Sequence, residues 1–148
     1  AFEPNPELIA KIYFFKEKIE KRIGRKLENY MIHNEAISNI NTISEFNIAK
    51  NNTASSLHEF SENINITWPG YKNDHFHTIK KIKVKLITLK KFLEDNNINI
   101  VNYLHIDTQG NDLNVLKGLG EKNKIVKQGV LEAAISKEKS LYKNVNVN

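Results

Sequence analysis

Cysteine is absent from this chain of 148 residues. Disulfides, thiolate nucleophiles and cysteine-ligated zinc or iron–sulfur centres are excluded together. Long apolar runs are missing too. None reaches the roughly 18 to 20 residues that a helix needs to cross a bilayer, so no membrane span is expected. Ala1-Phe2-Glu3-Pro4 opens the chain with an acidic, proline-containing segment. A secretory leader would show a basic region followed by an apolar one. The expectation is a cytoplasmic protein. The chain does not open on methionine, which leaves room for coding sequence upstream.

The hydrophobic share is 40% and the charged share 26%, a balance that supports one domain with one core. The net charge of +5 raises the question of nucleic acid. Lysines concentrate over residues 16–26 and 80–91, but aromatic residues do not alternate with them as RNA-binding surfaces require. Asparagine and isoleucine are abundant alongside lysine, which points to a bias of the coding sequence. The basic residues read as a solvated surface, and nucleic acid is not an expected partner.

Hydrophobic periodicity supplies the elements. Leu8, Ile9, Ile12, Phe15, Ile19 and Ile23 recur at helical spacing between Pro6 and Gly24, with proline at the start and glycine at the end as helices prefer. Strands are expected near residues 1–3, 28–37, 101–107 and 126–134, with 42–49 and 82–88 as additional strands. Leu89 to Asn96 and Gly110 to Gly118 read as helices. Residues 50–81 are polar and irregular, a length at which loops are often functional. Strands alternating with helices predict an α/β fold with a mostly parallel sheet.

Ligands bind such sheets at the carboxyl ends of the strands. Polar residues fall there on four segments: Glu3; His33, Asn34 and Glu35; Asp107 and Gln109; and Glu132. Glu3 could accept hydrogen bonds from a ribose diol, or serve only as an acid near a helix N-terminus. Asp107 could act in a site or cap the following helix. Gln109 could orient a ligand or simply be a turn residue. His75 and His77 could face one way as metal ligands, with Asp74 or His58 as a third, or be solvated loop residues. His105 is expected to pack in the sheet or face away from Asp107. Trp68 and Tyr71 could stack on a sugar or anchor their loop.

Ala1-Phe2-Glu3-Pro4-Asn5-Pro6, Asn34-Glu35-Ala36-Ile37-Ser38 and above all the stretch Leu104-His105-Ile106-Asp107-Thr108-Gln109-Gly110-Asn111-Asp112-Leu113 resemble segments of the FkbM-like family of class I S-adenosylmethionine-dependent methyltransferases. Ser55-Ser56-Leu57 and Leu86 to Leu93 are similar to further segments. Asp112 stands where that family more often has glutamate. The resemblance implies a Rossmann-like sheet, truncated here at both ends: the first strand with its glycine-rich loop and the closing helix and strands are not present. It implies S-adenosylmethionine as cofactor, with Glu3 on the ribose, Asn34, Glu35 and Ala36 at the adenine, and Asp107 and Gln109 beside it. It implies methylation of a hydroxyl on a glycan or small-molecule acceptor, with Asp107 as the proton acceptor and Glu132 second. An active enzyme completed by an upstream segment and a non-catalytic binding remnant both remain open. An open sheet edge would also invite self-association.

Overall fold

The computed structural model describes residues 1–62, 64, 75–132 and 140–145. Helix α1 spans Pro6–Ile23. Asn5 caps it by accepting from Glu7 N at 3.0 Å, and Gly24 ends it in the left-handed region at φ 69°. Strands β1 (Ala36–Ile37), β2 (Thr42–Ala49) and β3 (Thr78–Ile87) follow. Helix α2 (Leu89–Asp95) has Thr88 as its cap. Strand β4 (Leu104–Ile106), helix α3 (Asp112–Leu119) and strand β5 (Gly129–Leu131) complete the described elements, with short 3-10 turns at Asn52–Ala54 and Gly120–Ile125.

The α/β class is as expected, but the sheet is only partly parallel. One sheet has the order β1-β3-β2 and a second pairs β4 with β5. β1 runs parallel to β3 and β4 parallel to β5, whereas β2 and β3 form a long antiparallel ladder. The departure has a sequence cause. Lys81, Lys83 and Lys85 alternate with Ile82, Val84 and Leu86, and an antiparallel ribbon can leave one such face in water. The ladder also begins earlier than expected, at Thr78.

The other strands are shorter than their apolar runs. Residues 1–3 make a single parallel bridge, Phe2 to His33, with His33 N donating to Ala1 O at 2.9 Å and Glu3 N to His33 O at 3.0 Å. Pro4 and Pro6 have no N–H to carry that ladder further. The 28–37 run is broken by the turn at Leu27–Tyr30 and regains pairing at Ala36. Val101 touches Val126 in an isolated bridge ahead of β4. Of the expected 126–134 strand, Gly129–Leu131 is formed, and its last two residues lie outside the described ones.

Helices α2 and α3 cover one face of both sheets. Ile37, Ile87, Leu89, Leu93, Ile106, Val115 and Leu119 form that core, while Ala36, Phe46, Ile48, Val84 and Leu86 form a second core on the other face of the three-stranded sheet. No ladder joins the two sheets among the described residues. An apolar cleft of about 260 Å³ is lined by Phe2, by Leu89, Phe92 and Leu93 of α2, and by Val101 and Leu104. Helix α1 keeps its expected stripe largely in solvent, with Phe15, Ile19 and Ile23 exposed. No helix among the described residues is long and apolar enough to cross a membrane.

Two residues set the joints of this frame. A Cβ at Gly118 would sit 2.1 Å from the carbonyl oxygen of Ser38, so α3 touches the backbone leaving β1 at a distance only glycine allows. We expect Gly118→Ala to lower the thermal midpoint, with a loss of about 1 to 3 kcal/mol typical of overpacking. At the end of α1, the buried Glu20 carboxylate accepts from Leu27 N at 2.7 Å and pairs with Lys16 at 3.0 Å and Lys26 at 3.3 Å. The Leu27 N–H foremost, with the lysines, holds its pKa down to about 2. A depressed carboxylate adds stability above its unfolded pKa and loses it as pH falls through the folded value. Glu20→Gln should therefore destabilise the protein at neutral pH. The gap should shrink as denaturation is measured from about pH 4.3 down toward 2.

Candidate functional site

The carboxyl end of β4 leads into a tight turn. Gln109 has φ 54° and Gly110 φ 95°, so the chain folds back on itself before α3 begins. A left-handed glutamine is uncommon and needs outside support. Here the support is explicit. Asp112, 5% exposed, accepts from Thr108 N at 3.2 Å and from Gly110 N at 3.3 Å. Ser56 Oγ donates to Gln109 O at 2.6 Å. Asn111 donates from Nδ2 to Ile37 O at 2.9 Å and accepts from Asn114 Nδ2 at 2.8 Å. The loop is thereby tied to the end of β1.

Asp107 does not cap α3; the loop amides go to Asp112. Its Oδ1 instead accepts from Gln109 Nε2, so Gln109 is at once the turn residue and a side chain turned on Asp107. Glu132 follows β5, its N–H bonded to Ile106 O at 3.2 Å, and its carboxyl group lies within hydrogen-bonding reach of Asp107. Burial first, then the negative charges of Asp107 and Asp112, push the Glu132 pKa up. The structure thus brings Asp107, Gln109 and Glu132 together.

Residues not placed at this site from the sequence complete the cluster. Tyr142 is buried, stacks on Phe60 at 5.4 Å and places its hydroxyl 2.8 Å from Gln109 Oε1. Burial, and then Glu132, Asp107 and Asp112, raise its pKa well above the ordinary phenol. His58 lies in the same region; burial lowers its pKa against the opposing effects of Asn111 and Asp112, and its Nε2 has no hydrogen-bond partner among the described residues. Ser56 had a signal in the Ser55-Ser56-Leu57 segment. Asn111 stood in the Asp107 stretch, though its partner lies 74 residues away, and Tyr142, whose partner lies 33 residues away, had no signal beyond its residue type.

The second group is looser. Glu3 is half-buried beside Asn34, one residue beyond the Phe2–His33 bridge. Its Oε1 accepts from Asn5 N at 2.7 Å, and its pKa is raised, mainly by burial. Asn34 is exposed, Glu35 pairs with Lys85 at 3.2 Å, and Ala36 is packed in the second core. The rings of Phe2, His33 and Phe92 pack together nearby. His75 and His77 give their carbonyls to Asn51 N and Lys50 N, extending the β2–β3 ribbon. No group of three potential ligands is placed to hold a metal among the described residues. Trp68, Tyr71 and Asp74 lie outside the described residues, and His105 is exposed on β4.

The fold is α/β, and the carboxyl ends of the parallel pair β4–β5 bring Asp107 and Glu132 together beside the left-handed turn at Gln109 and Gly110. A family model for the methyltransferase FkbM domain matches residues 1–143, and the chain belongs to that family. No curated protein and no solved structure matches it. If Asp112 is the anchor of the Asp107 loop, Asp112→Ala strands two amide N–H groups. We expect a loss of about 2 to 3 kcal/mol in denaturant unfolding, since hydrogen bonds to charged groups are worth roughly 1.5 to 3 kcal/mol each and some are replaced by water. The Thr108 and Gly110 amides should also exchange faster with solvent.

Proposed function

We propose that this chain is the body of a cytoplasmic S-adenosylmethionine-dependent methyltransferase that methylates a hydroxyl group of a sugar or secondary metabolite. One observation carries the reading beyond family membership: Asp107 and Glu132 meet at the ends of neighbouring parallel strands, with one Asp107 oxygen held by Gln109. Bound S-adenosylmethionine supplies a methyl group on a positively charged sulfur. The chain's own residues orient the acceptor hydroxyl and take its proton, for which Asp107 is the base and Glu132 the second carboxyl.

The residues fit the nucleoside end of that cofactor. Glu3 has one oxygen committed to Asn5 and the other left for a ribose diol, and Asn34, Glu35 and Ala36 would flank the adenine, with Gln109 beside Asp107 on the same edge. Burial makes a charged Glu3 costly, and hydrogen bonds from a diol would offset that cost. The charged methionine end fits less well. It calls for close backbone approach, and among the described glycines only Gly110 shortly follows a strand, where Tyr142 and Val145 already pack. The reading therefore includes a further strand and glycine loop seated in the cleft lined by Phe2 and Leu104. The same split sheet favours a second reading, a binding domain without catalysis that self-associates through its open edges.

Calorimetric titration with S-adenosylmethionine tests this. We expect weak binding by the 148-residue chain. Loss of two hydrogen bonds to a charged group corresponds to roughly two to four powers of ten in affinity. An upstream segment that restores affinity, and a Glu3→Ala change that then lowers it, support the enzyme. Tight binding by the chain alone overturns the role given to the missing loop.

A further inference from the structure

We propose that Tyr142 is a positioning residue for Asp107, acting through the side-chain amide of Gln109. The inference rests on the reading of Asp107 as proton acceptor. A tyrosine hydroxyl has one proton, and here it faces two acceptors, Gln109 Oε1 at 2.8 Å and Ala54 O at 2.9 Å. Burial among Glu132, Asp107 and Asp112 keeps that proton on the oxygen, so the group is a donor.

The amide of Gln109 can sit in two orientations. In one, Oε1 receives the Tyr142 proton and Nε2 donates to Asp107 Oδ1. In the other, Oε1 would face the Asp107 carboxylate, lone pair against lone pair, and Asp107 would lose its donor. The hydroxyl can meet either face of the amide, donating to Oε1 or accepting from Nε2 while donating to Ala54 O, so Asp107 sets which way round the amide lies and Tyr142 holds its far end in place. One carboxylate oxygen is then committed to Gln109.

The backbone around this relay is unusually constrained. Gln109 is left-handed, its carbonyl is held by Ser56, and the Tyr142 ring lies where a Cβ on Gly110 would come within 3.0 Å of Cδ2. Phe60 stacks on the other part of the ring, and Ser61 N donates to Leu141 O at 2.9 Å to seat the segment. Residues 140–145 thus deliver one hydroxyl to one amide. The position of Asp107 is felt by Glu132, whose carboxyl group lies within hydrogen-bonding reach of it.

That contact supplies a readout that a merely structural tyrosine would not move. Carbon-13 NMR of the Glu132 carboxyl group, titrated in the full chain, should show a midpoint above the ordinary glutamate value. Tyr142→Phe keeps the ring and removes the hydroxyl. It should move the midpoint down toward that of Asp107→Asn, because a released Asp107 no longer crowds Glu132. The Gln109 side-chain amide protons should exchange faster in the same variant. Gln109→Leu should give the same downward shift, and the double variant no more than either single change. If Tyr142→Phe fails to fold, the wild-type Tyr142 hydroxyl proton decides: a slowly exchanging resonance with a nuclear Overhauser contact to the Gln109 side-chain amide supports the relay, and a hydroxyl in fast exchange overturns it. A wild-type midpoint in Tyr142→Phe, with the Gln109 amide still protected, overturns the proposal. No cofactor enters the measurement, so failed S-adenosylmethionine binding with the relay intact counts against the methyltransferase reading alone.

Discussion

The rest of the molecule depends on the contact between α3 and the backbone that leaves β1. The two sheets share no hydrogen-bonded ladder among the described residues, so something else must hold them in register. Gly118 permits α3 to lie against Ser38, and Asn111 bonds Ile37 O from the start of the same helix. Both ends of α3 are thus referenced to β1. Ile37 and Ile87 from one sheet can then share a core with Ile106 from the other, under Leu89, Leu93, Val115 and Leu119. A side chain at Gly118 would push the sheets apart at the place where the candidate site is assembled.

With that joint in place, the acidic residues divide between structure and chemistry. Asp107 and Asp112 belong to one short motif, and their surroundings separate them. Asp112 is buried and uses both oxygens on loop amides, which satisfies donors that a left-handed turn exposes. Asp107 stays at the surface, held by an amide side chain and crowded by Glu132. Burial first, and then the like charges gathered here, raise the affinity for protons at Glu132 and Tyr142.

Apolar surface is exposed at several places. Phe2, Val101 and Leu104 line the cleft, Tyr103, Val130 and Leu131 are exposed on and beside the two-stranded sheet, and Phe14, Phe15, Ile19 and Ile23 are exposed on α1. Apolar stripes left in solvent on one element are places where another element or partner can pack. This also explains why α1, periodic enough to be read as a helix, contributes little to the core: its stripe is present but its counterpart is not among the described residues.

Much of the local structure was legible in the chain itself. The apolar period and the Pro6 and Gly24 signals give α1, the lysine alternation gives β3, and the Asp107 stretch identifies the family and the strand-to-helix turn, because all of these are short-range properties of backbone sterics and side-chain spacing. Strand lengths were less legible, since apolar runs do not say where a partner edge stops. The antiparallel β2–β3 ribbon follows from pairing across the 50–77 connection, and that pairing is not written in either strand alone. The candidate site divides in the same way. Asp107, Gln109 and Glu132 could be named from strand-end positions. That Asp112 rather than Asp107 takes the loop amides, that Gln109 turns on Asp107, and that Tyr142 reaches Gln109 across 33 residues were decided by tertiary structure, because hydrogen-bond partners are chosen by distance in space.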